Sequence, residues 1–437
     1  MWPYFPDLLA TPVPRYTSFP TAAEFGPQVG AGEFAVALES ATGDVSLYIH
    51  IPFCEAICWY CGCNTNRSNR RERLAAYLDA LHGEIALVGA RLPPTARVRR
   101  IAFGGGSPNA IPPTDFVRLM LALTQCFTLD DPVISVELDP RSMDLSWAGV
   151  LSGVGVGRAS LGVQTFQPDL QRAIGRVQPL HLIETCTELL RQADVASINF
   201  DLMYGLPGQT LADLDATLDQ ACRLGADRIA LFGYAHVPQL IARQRRIDGS
   251  ALPDQKTRFE MAERGHRRLI EAGYVPVGFD HFARPGDPLA EAAASGRLRR
   301  NFQGFTDDDA PVLIGLGASA ISSFPQLLAQ NEKNPGRYQM MLSRERLTVA
   351  RGIQRSADDR LRGKIIEDLL CTGRAVIGDA LIDEAAARLG RFVERGLAEL
   401  ACGTLVLAEA ALPYARTIAA LFDPYRGDSI RRFSSAV

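Results

Sequence analysis

Four of the nine cysteines lie within ten residues of one another, in the segment Tyr48-Ile-His-Ile-Pro-Phe-Cys-Glu-Ala-Ile-Cys-Trp-Tyr-Cys-Gly-Cys-Asn-Thr-Asn66. Cys54, Cys58 and Cys61 have the spacing C-x3-C-x2-C, and Cys63 follows two residues later. The apolar run that leads in ends at Pro52, which predicts a strand followed by a tight loop. Three thiolates in one loop suit a [4Fe–4S] cluster with an open iron. A zinc site would need four ligands, usually in two separated pairs, and no second pair has that spacing.

Size and composition predict an ordinary globular protein. The chain has 437 residues, of which 47% are hydrophobic and 22% charged, enough for a barrel-sized domain and one or two smaller ones. A net charge of −3 gives no bulk attraction to nucleic acid. An odd number of cysteines with one dense trio favours reduced thiols and a metal over disulfides. Without a long apolar stretch or a signal-peptide pattern, we expect a cytoplasmic monomer with no membrane span.

A regular alternation of apolar strands and helix-length segments begins near residue 45. The predicted strands lie at 45–51, 98–103, 133–138, 157–163, 195–202 and 228–234. The predicted helices lie at 71–91, 114–126, 144–152, 168–174, 180–192, 211–223 and 255–272. This alternation indicates βαβ units with a parallel sheet. Right-handed crossovers then curl six strands into a full or partial TIM-like (β/α)6 barrel.

Polar and glycine-rich groups follow these strands at their C-terminal ends, and the cysteine loop follows the first strand. Next in order come Gly104–Pro108, Glu137 with Asp139, Gln164, Asp201, and Tyr234–His236. In barrels of this kind the loops after the strands meet at one rim and carry the chemistry. We therefore expect one site built from all six strand ends.

The chain divides into three predicted domains. Residues 1–44, rich in Pro, Gly and Ala, are expected to form an arm over a larger body. Residues 45–335 form the barrel and its extension. A linker is predicted over 331–350, and 336–437 are expected to form a small, mainly helical, winged-helix-like domain with one apolar strand at 404–407.

The cluster loop resembles that of the radical S-adenosylmethionine enzymes and, more narrowly, that of the oxygen-independent coproporphyrinogen III oxidase family. The resemblance covers nearly the whole chain. The other matching motifs are Pro14-Arg-Tyr-Thr-Ser-Phe-Pro-Thr21, Gly104-Gly-Gly-Ser-Pro108, Val136-Glu-Leu-Asp-Pro140, Gly162-Val-Gln-Thr-Phe166, Asn199-Phe-Asp-Leu-Met-Tyr-Gly-Leu-Pro207, Tyr234-Ala-His236, Asp280-His-Phe-Ala-Arg284, Asn301-Phe-Gln-Gly304, Ser319-Ala-Ile-Ser322 and Arg432-Phe-Ser-Ser435.

The resemblance implies the cofactors and their contacts. Cys54, Cys58 and Cys61 would hold one [4Fe–4S] cluster, whose fourth iron would chelate S-adenosylmethionine and reduce it to methionine and a 5′-deoxyadenosyl radical. The first of two S-adenosylmethionine molecules would contact Tyr48, Gly105, Glu137 and Ile321. The second would contact Tyr60, Gly106, Ser107, Gln164, Arg176, Asp201 and Ala235. An ion pair with Arg176 is the structural alternative for Asp201.

The resemblance also implies the reaction: two propionates of coproporphyrinogen III would be converted to vinyl groups, giving protoporphyrinogen IX in haem biosynthesis. Cys63 and Tyr60 are the catalytic candidates, although Tyr60 stands where the family often has phenylalanine. A low-potential electron donor is the implied partner. The polyanionic substrate needs cations, and the candidates are Arg15, Arg284, Arg299 and Arg300.

Departures from the family pattern leave alternatives open. They lie near Leu370–Gly373, at Arg362-Gly363 and at Asn331–Gly336, in or near the C-terminal domain. They bear on the identity of the tetrapyrrole and not on the cluster. The alternatives are a haem-degrading radical methyltransferase, a haem chaperone that retains the cluster, and a structural zinc-knuckle protein.

Overall fold

The computed structural model describes residues 2–67 and 70–426. The chain opens with an arm that carries α1 (Pro6–Leu9) and α2 (Ala31–Glu39). The elements that follow are β1 (Gly43–Ile51), β2 (Phe53–Cys54), β3 (Asn66–Arg67), α3 (Arg71–Gly89), β4 (Ala96–Gly105), α4 (Pro113–Cys126), β5 (Leu129–Leu138), α5 (Leu145–Val154), β6 (Val156–Gln164), α6 (Pro168–Ala173), α7 (Leu180–Gln192), β7 (Ser197–Tyr204), α8 (Leu211–Arg223), β8 (Arg228–Gly233) and α9 (Gln255–Glu271). All six predicted strands and all seven predicted helices of this segment are present.

Six parallel strands form the centre of the fold, in the order β1, β4, β5, β6, β7, β8. The helices that connect these strands pack their apolar faces against the sheet. On α3 the buried side chains include Leu74, Tyr77, Leu81 and Ile85, as their 3.6-residue spacing predicts. The predicted α/β fold is confirmed as a partial barrel, because the strands curl without closing into a ring.

Short strands extend the sheet at both edges. The elements of this part are β9 (Val275–Val277), β10 (His281–Ala283), α10 (Pro288–Ala294), β11 (Arg299–Asn301), β12 (Gly304–Thr306), β13 (Val312–Leu316), β14 (Ile321–Ser323), β15 (Leu327–Asn331), α11 (Pro335–Leu342) and β16 (Val349–Gln354). The twelve-stranded sheet runs β16-β15-β14-β13-β1-β4-β5-β6-β7-β8-β10-β9. The linker predicted over 331–350 is therefore wrong, because α11 packs against α3 and β16 pairs with β15.

The C-terminal unit combines helices with a small antiparallel sheet. Its elements are α12 (Ala357–Thr372), β17 (Arg374–Val376), α13 (Asp379–Val393), β18 (Ala398–Ala401), β19 (Thr404–Leu407) and α14 (Ala415–Ala419). Three strands, in the order β17-β19-β18, replace the single strand predicted at 404–407. The division into three domains remains a prediction, and the motif at 432–435 lies outside the described residues. No helix in the described part of the chain is long and apolar enough to cross a membrane.

The N-terminal arm is anchored on this C-terminal unit. The Tyr414 hydroxyl donates to the Pro3 carbonyl at 2.6 Å and accepts from the Phe5 amide at 2.8 Å. The Tyr16 hydroxyl donates to Asp423 Oδ2 at 3.0 Å. Leu8 and Leu9 are buried in the same apolar cluster as α12 and α13. The arm therefore bridges the C-terminal unit and the barrel.

One buried carboxylate, Glu84 on α3, joins the helix to the added strands. It accepts hydrogen bonds from the Gly317 amide at 2.5 Å and the Tyr338 hydroxyl at 2.7 Å. It also accepts from Asn331 Nδ2 at 2.8 Å and from the Thr348 hydroxyl at 2.5 Å. Burial raises the pKa of Glu84, and these four donors oppose that rise. Glu84 thus fixes the β13–β14 turn against α3.

Replacing Glu84 tests this role. Glu84→Ala removes the acceptor of the Gly317 amide and of the Tyr338 and Thr348 hydroxyls, while Asn331 Nδ2 keeps the Gly315 and Gly317 carbonyls. We therefore expect the free energy of unfolding to fall by about 3 kcal/mol or more. Denaturant titration followed by circular dichroism measures the change. Asp79→Ala, at an exposed position of the same helix, is the control and should change stability by less than about 0.5 kcal/mol. Equal stability of the two variants would contradict the role of Glu84.

Candidate active site

The cysteine loop projects from the end of β1 over the rim of the barrel. After Pro52 the chain forms β2, which pairs in parallel with β3 and closes the loop at its base. The Asn66 amide donates to the Pro52 carbonyl at 2.8 Å. The loop borders a cavity of about 210 Å³. Cys54, Cys58 and Cys61 all line this cavity, which we call the cysteine cavity.

Most of the predicted site residues meet in the cysteine cavity. Besides the trio, its lining includes Tyr60, Cys63, Gly105, Gly106, Ser107, Glu137, Gln164, Arg176 and Asp201. These residues come from the loops or ends of β1, β4, β5, β6 and β7, with Arg176 from the turn after α6. The rim of the parallel sheet therefore gathers side chains that are far apart in sequence.

Three predicted site residues, Tyr48, Ile321 and Ala235, lie outside that lining. The Tyr48 hydroxyl is 3.1 Å from His50 Nδ1, and its ring packs edge-on against Phe302 at 4.5 Å between centroids. Ile321 lines a larger cavity of about 590 Å³, and Ala235 lines a smaller one of about 60 Å³.

Ala235 is nevertheless tied to the cysteine loop. Gln244, which is buried, donates to the Ala235 carbonyl at 3.0 Å and to the Tyr60 carbonyl at 2.9 Å. The side-chain amide of Gln244 therefore links the backbone that follows β8 to the backbone of Tyr60. The position of Ala235 is close to the site even though its side chain faces another cavity.

The glycine-rich turn after β4 packs directly against the entry to the cysteine loop. The Gly106 amide donates to the Ile51 carbonyl at 2.8 Å, and the Ser107 amide donates to the Phe53 carbonyl at 2.7 Å. A Cβ atom on Gly106 would lie 2.3 Å from the Phe53 oxygen. Gly105 has φ +105°, a conformation that favours glycine. Bare backbone is therefore required at both positions.

Two buried carboxylates face the cavity. Glu137 Oε2 accepts from the Gly105 amide at 3.1 Å. Burial raises the pKa of Glu137 to about 7, and the Gly105 hydrogen bond opposes the rise. Asp201 accepts from Asn199 Nδ2 at 2.8 Å and from the Ser160 hydroxyl at 3.2 Å, and burial raises the pKa of Asp201 as well. Both groups are placed to accept hydrogen bonds from a polar ligand.

A network of arginines and one aspartate surrounds Cys58. Arg176 Nη1 lies 3.3 Å from Cys58 Sγ, and Arg176 Nη2 lies 3.4 Å from Asp139 Oδ1. Arg141 contacts the other side of Asp139 and lies 3.7 Å from the same sulfur. Burial alone would raise the pKa of Asp139, but the two guanidiniums hold it below its usual range. Arg176 therefore forms its ion pair with Asp139 and not with Asp201.

Sequence reasoning missed two cations at this site, Arg141 and Arg243. Arg243 donates to the Cys63 carbonyl at 3.1 Å and to the Thr65 hydroxyl at 3.2 Å, and it lines the cysteine cavity. Arg141 stands two residues after Asp139, so its proximity to that rim position was a usable signal. Arg243 lies in a short 3₁₀ helix (Ala242–Arg246) after β8 and had no such signal.

The cysteine cavity fits the donor set that an iron–sulfur cluster requires. All nine cysteines are free thiols, so the trio is available as ligands. Within residues 2–67 and 70–426, no three Cys, His, Asp or Glu side chains converge on one point as they would around a single metal ion. The thiols border an open volume instead. A cluster is held from its corners and needs room between its thiolates.

The four arginines proposed for substrate binding separate into two groups. Arg15, Arg299 and Arg300 line the 590 Å³ cavity. Arg284 instead stacks on Tyr274 at 4.0 Å and donates to the Ala272 carbonyl. Arg284 lines none of the three cavities described above, so the structure does not support its predicted role.

Comparison with known proteins agrees with this geometry. Residues 48–221 match the radical SAM superfamily. The oxygen-independent coproporphyrinogen III oxidase of Bradyrhizobium diazoefficiens is 42% identical over 438 residues, covering 97% of each chain. That of Pseudomonas aeruginosa is 38% identical over 441 residues, covering 97% of this chain and 96% of the relative. The solved coproporphyrinogen III oxidase of Escherichia coli superposes with a TM-score of 0.90 at 34% identity, covering 97% of this chain and 99% of that one.

A partial barrel with three cysteines at its rim and glycine backbone beside them defines a radical S-adenosylmethionine protein. Within that class, the identity and coverage of its relatives show that the chain belongs to the oxygen-independent coproporphyrinogen III oxidase family. The family implies a [4Fe–4S] cluster and S-adenosylmethionine as cofactors.

The ligand role of the trio can be tested on a single thiol. Cys58→Ser removes one corner of the cluster, so we expect the reconstituted protein to lose most of its bound iron and acid-labile sulfide. Iron and sulfide analysis with visible absorbance measures the loss. Cys402→Ser, at an exposed cysteine of the C-terminal unit, is the matched control and should retain both. A Cys58→Ser variant with a full cluster would contradict the assignment.

Proposed function

We propose that this chain catalyses the oxygen-independent oxidative decarboxylation of coproporphyrinogen III to protoporphyrinogen IX in haem biosynthesis. Each reacting propionate loses one hydrogen atom from its β carbon, one electron and carbon dioxide, and a vinyl group remains. When bound, the cluster and S-adenosylmethionine supply the 5′-deoxyadenosyl radical that accepts the hydrogen atom. The electron passes to an acceptor. The relatives named above carry this activity in their names.

The observation that carries the proposal is the pairing of the cysteine cavity with a larger one next to it. Tyr48 lies between their linings. Its hydroxyl is 3.1 Å from His50 Nδ1, and a Cβ atom on Gly105 of the cysteine cavity would lie 2.4 Å from that same nitrogen. The Tyr48 ring packs on Phe302, which lines the larger cavity. Ile321, a proposed cofactor contact, also lines the larger cavity. A reactive centre and room for a bulky substrate are therefore adjacent.

The larger cavity suits a tetrapyrrole with several carboxylates. Its volume is about 590 Å³, and it is enclosed by the arm, β11, β14 and α12. The cations of its lining outnumber the carboxylates: Arg15, Arg299, Arg300, Arg355, Arg360 and Lys364 stand against Asp308, Asp309 and Glu367, and Glu367 pairs with Arg299 at 2.9 Å. Cations in a partly enclosed cavity attract carboxylates more strongly than they would in water. This is the proposed substrate cavity.

Two molecules of S-adenosylmethionine form part of the proposal. Gly105 and Glu137 would bind the first, with Tyr48 and Ile321 beside them. The second would contact Gly106, Ser107, Gln164, Arg176 and Asp201 of the cysteine cavity, together with Tyr60 and Ala235. This stoichiometry follows from the proposed reaction, because two propionates react and each needs one 5′-deoxyadenosyl radical.

The proposed electron donor is a low-potential carrier that meets the exposed side of the cysteine loop, with the enzyme acting as a monomer. Cys63 and Asn64 are exposed there. Arg67, Arg243 and Arg246 surround the loop, and Arg246 lies over the Trp59 ring at 5.9 Å. A positive rim of this kind suits an acidic carrier protein.

Turnover under nitrogen tests the proposed function. The reconstituted protein receives dithionite, S-adenosylmethionine and coproporphyrinogen III, and products are identified by mass spectrometry. We expect protoporphyrinogen IX together with 5′-deoxyadenosine. Methylated or ring-opened tetrapyrrole would support a haem-degrading methyltransferase instead. Stoichiometric haem retention without turnover would support a chaperone, and zinc without iron would support a structural protein.

Replacing Cys63 tests product formation separately from cluster binding. Its amide donates to Cys61 Sγ at 3.4 Å, and its side chain lines the cysteine cavity without belonging to the trio. We expect Cys63→Ser to retain the iron and sulfide content of the wild type and to form at least tenfold less protoporphyrinogen. The same anaerobic assay measures both. Full product formation by Cys63→Ser would remove the main local support for Cys63 as a catalytic residue.

A further inference from the structure

The third and smallest of the cavities described above lies where the arm, the barrel rim and the C-terminal unit meet. Its volume is about 60 Å³. Three arginines line it: Arg15 from the arm, Arg258 from α9 and Arg416 from α14. We call these three residues and the space between them the arginine pocket. Guanidiniums from three distant parts of the chain converge here, against their mutual repulsion.

The charges around this pocket are predominantly positive. Burial lowers the pKa of Arg416 to about 10, and the neighbouring Arg15 adds to that effect. Burial also lowers the pKa of Arg258. The carboxylate in the lining is Asp280, and its Oδ1 atom is 2.6 Å from His281 Nδ1. Three guanidiniums beside one carboxylate form an environment that an anion would stabilise.

Two buried donors of this region have no acceptor. In the part of the chain that the structure describes, Arg258 Nε and Arg300 Nη1 are buried and lack a hydrogen-bond partner. Arg258 uses another nitrogen to donate to the Tyr234 carbonyl at 2.7 Å. Arg300 lines the neighbouring 590 Å³ cavity and not the pocket itself, and its guanidinium lies over the rings of Phe279 at 4.9 Å and Phe305 at 4.4 Å. Buried donors without acceptors are costly, which indicates that a ligand completes this region.

We propose that the arginine pocket binds a carboxylate of the substrate, namely a propionate that is not decarboxylated. The inference rests on the proposed function, since it takes coproporphyrinogen as the substrate. A volume of about 60 Å³ admits a carboxylate group but not a pyrrole macrocycle. Guanidiniums form paired, charge-assisted hydrogen bonds with carboxylates, so the residue type matches the ligand.

The position of the pocket matches this role. Arg15 lines both the arginine pocket and the 590 Å³ cavity, so one side chain borders both spaces. On the other side, Ala235 lines the pocket, and Gln244 donates both to the Ala235 carbonyl and to the carbonyl of Tyr60 in the cysteine loop. A propionate held in the arginine pocket would anchor one edge of the macrocycle. The opposite edge would then remain in the larger cavity, whose lining includes Ile321.

Binding of coproporphyrin III, the stable and fluorescent oxidised form of the substrate, tests the proposal. The reconstituted holoenzyme is titrated as wild type, Arg258→Gln and Arg416→Gln. We expect each variant to weaken coproporphyrin binding about tenfold or more, because a charge-assisted hydrogen bond to a carboxylate is lost. Arg267→Gln, at an exposed position of α9, is the control and should bind as the wild type does. The tetramethyl ester of coproporphyrin should not distinguish any of these proteins.

Two further measurements make the result decisive. Affinity for S-adenosylmethionine and the melting temperature show whether a glutamine variant is folded. Arg258→Lys, which retains a cation, should bind coproporphyrin more tightly than Arg258→Gln does. Folded Arg258→Gln and Arg416→Gln proteins with wild-type affinity for coproporphyrin and an unchanged KM for coproporphyrinogen would overturn the arginine pocket alone. A wild-type protein that neither binds coproporphyrin nor converts coproporphyrinogen would overturn the proposed function instead.

Discussion

The site depends on a backbone ladder that continues past the end of the sheet. β1 and β4 pair in parallel, and the pairing continues from Ile51 and Phe53 to the amides of Gly106 and Ser107. This contact sets the cysteine loop directly above the glycine turn. No side chain can be accommodated between them, since a Cβ on Gly106 would collide with the Phe53 carbonyl. The position of the three thiols is therefore a consequence of strand register.

Electrostatics then determine what the cavity can hold. Cys58 faces two guanidiniums, and both of them pair with Asp139. Positive charge is therefore close to the Cys58 sulfur, and each guanidinium still has a carboxylate partner. Glu137 and Asp201 are buried carboxylates on the same rim, and burial raises the pKa of each. The cavity therefore has positive charge beside the Cys58 sulfur and buried carboxylates beside its open volume. Such a cavity suits a cationic cofactor that is also bound by metal.

Much of this arrangement could be predicted from sequence, because long apolar strands and amphipathic helices carry strong periodic signals. The elements β1, β4, β5, β6, β7 and β8 have such signals. The outer strands β9, β14 and β16 have only three to six residues, and each pairs with another short strand. Such strands are defined by pairing and not by local pattern, which is why a linker was wrongly predicted over 331–350.

Side-chain convergence was less predictable than the fold. Motif position alone suggested Arg284, yet its side chain stacks on Tyr274 outside the cavities described above. Arg258 and Arg416 lie in helices with no distinguishing pattern, and only tertiary packing brings them to Arg15. Ile321 lies on β14 of the large sheet, but the cavity that it lines could be recognised only when the arm and α12 were in place.

Diffraction from reconstituted crystals at the iron absorption edge tests the placement of the cluster most directly. The account predicts one four-iron anomalous feature in the cysteine cavity, bonded to the sulfurs of Cys54, Cys58 and Cys61, with Cys63 unbonded and one iron facing Gly105 and Glu137. Iron bonded to Cys63 in place of one of the trio, or a single zinc ion at this loop, would contradict the account.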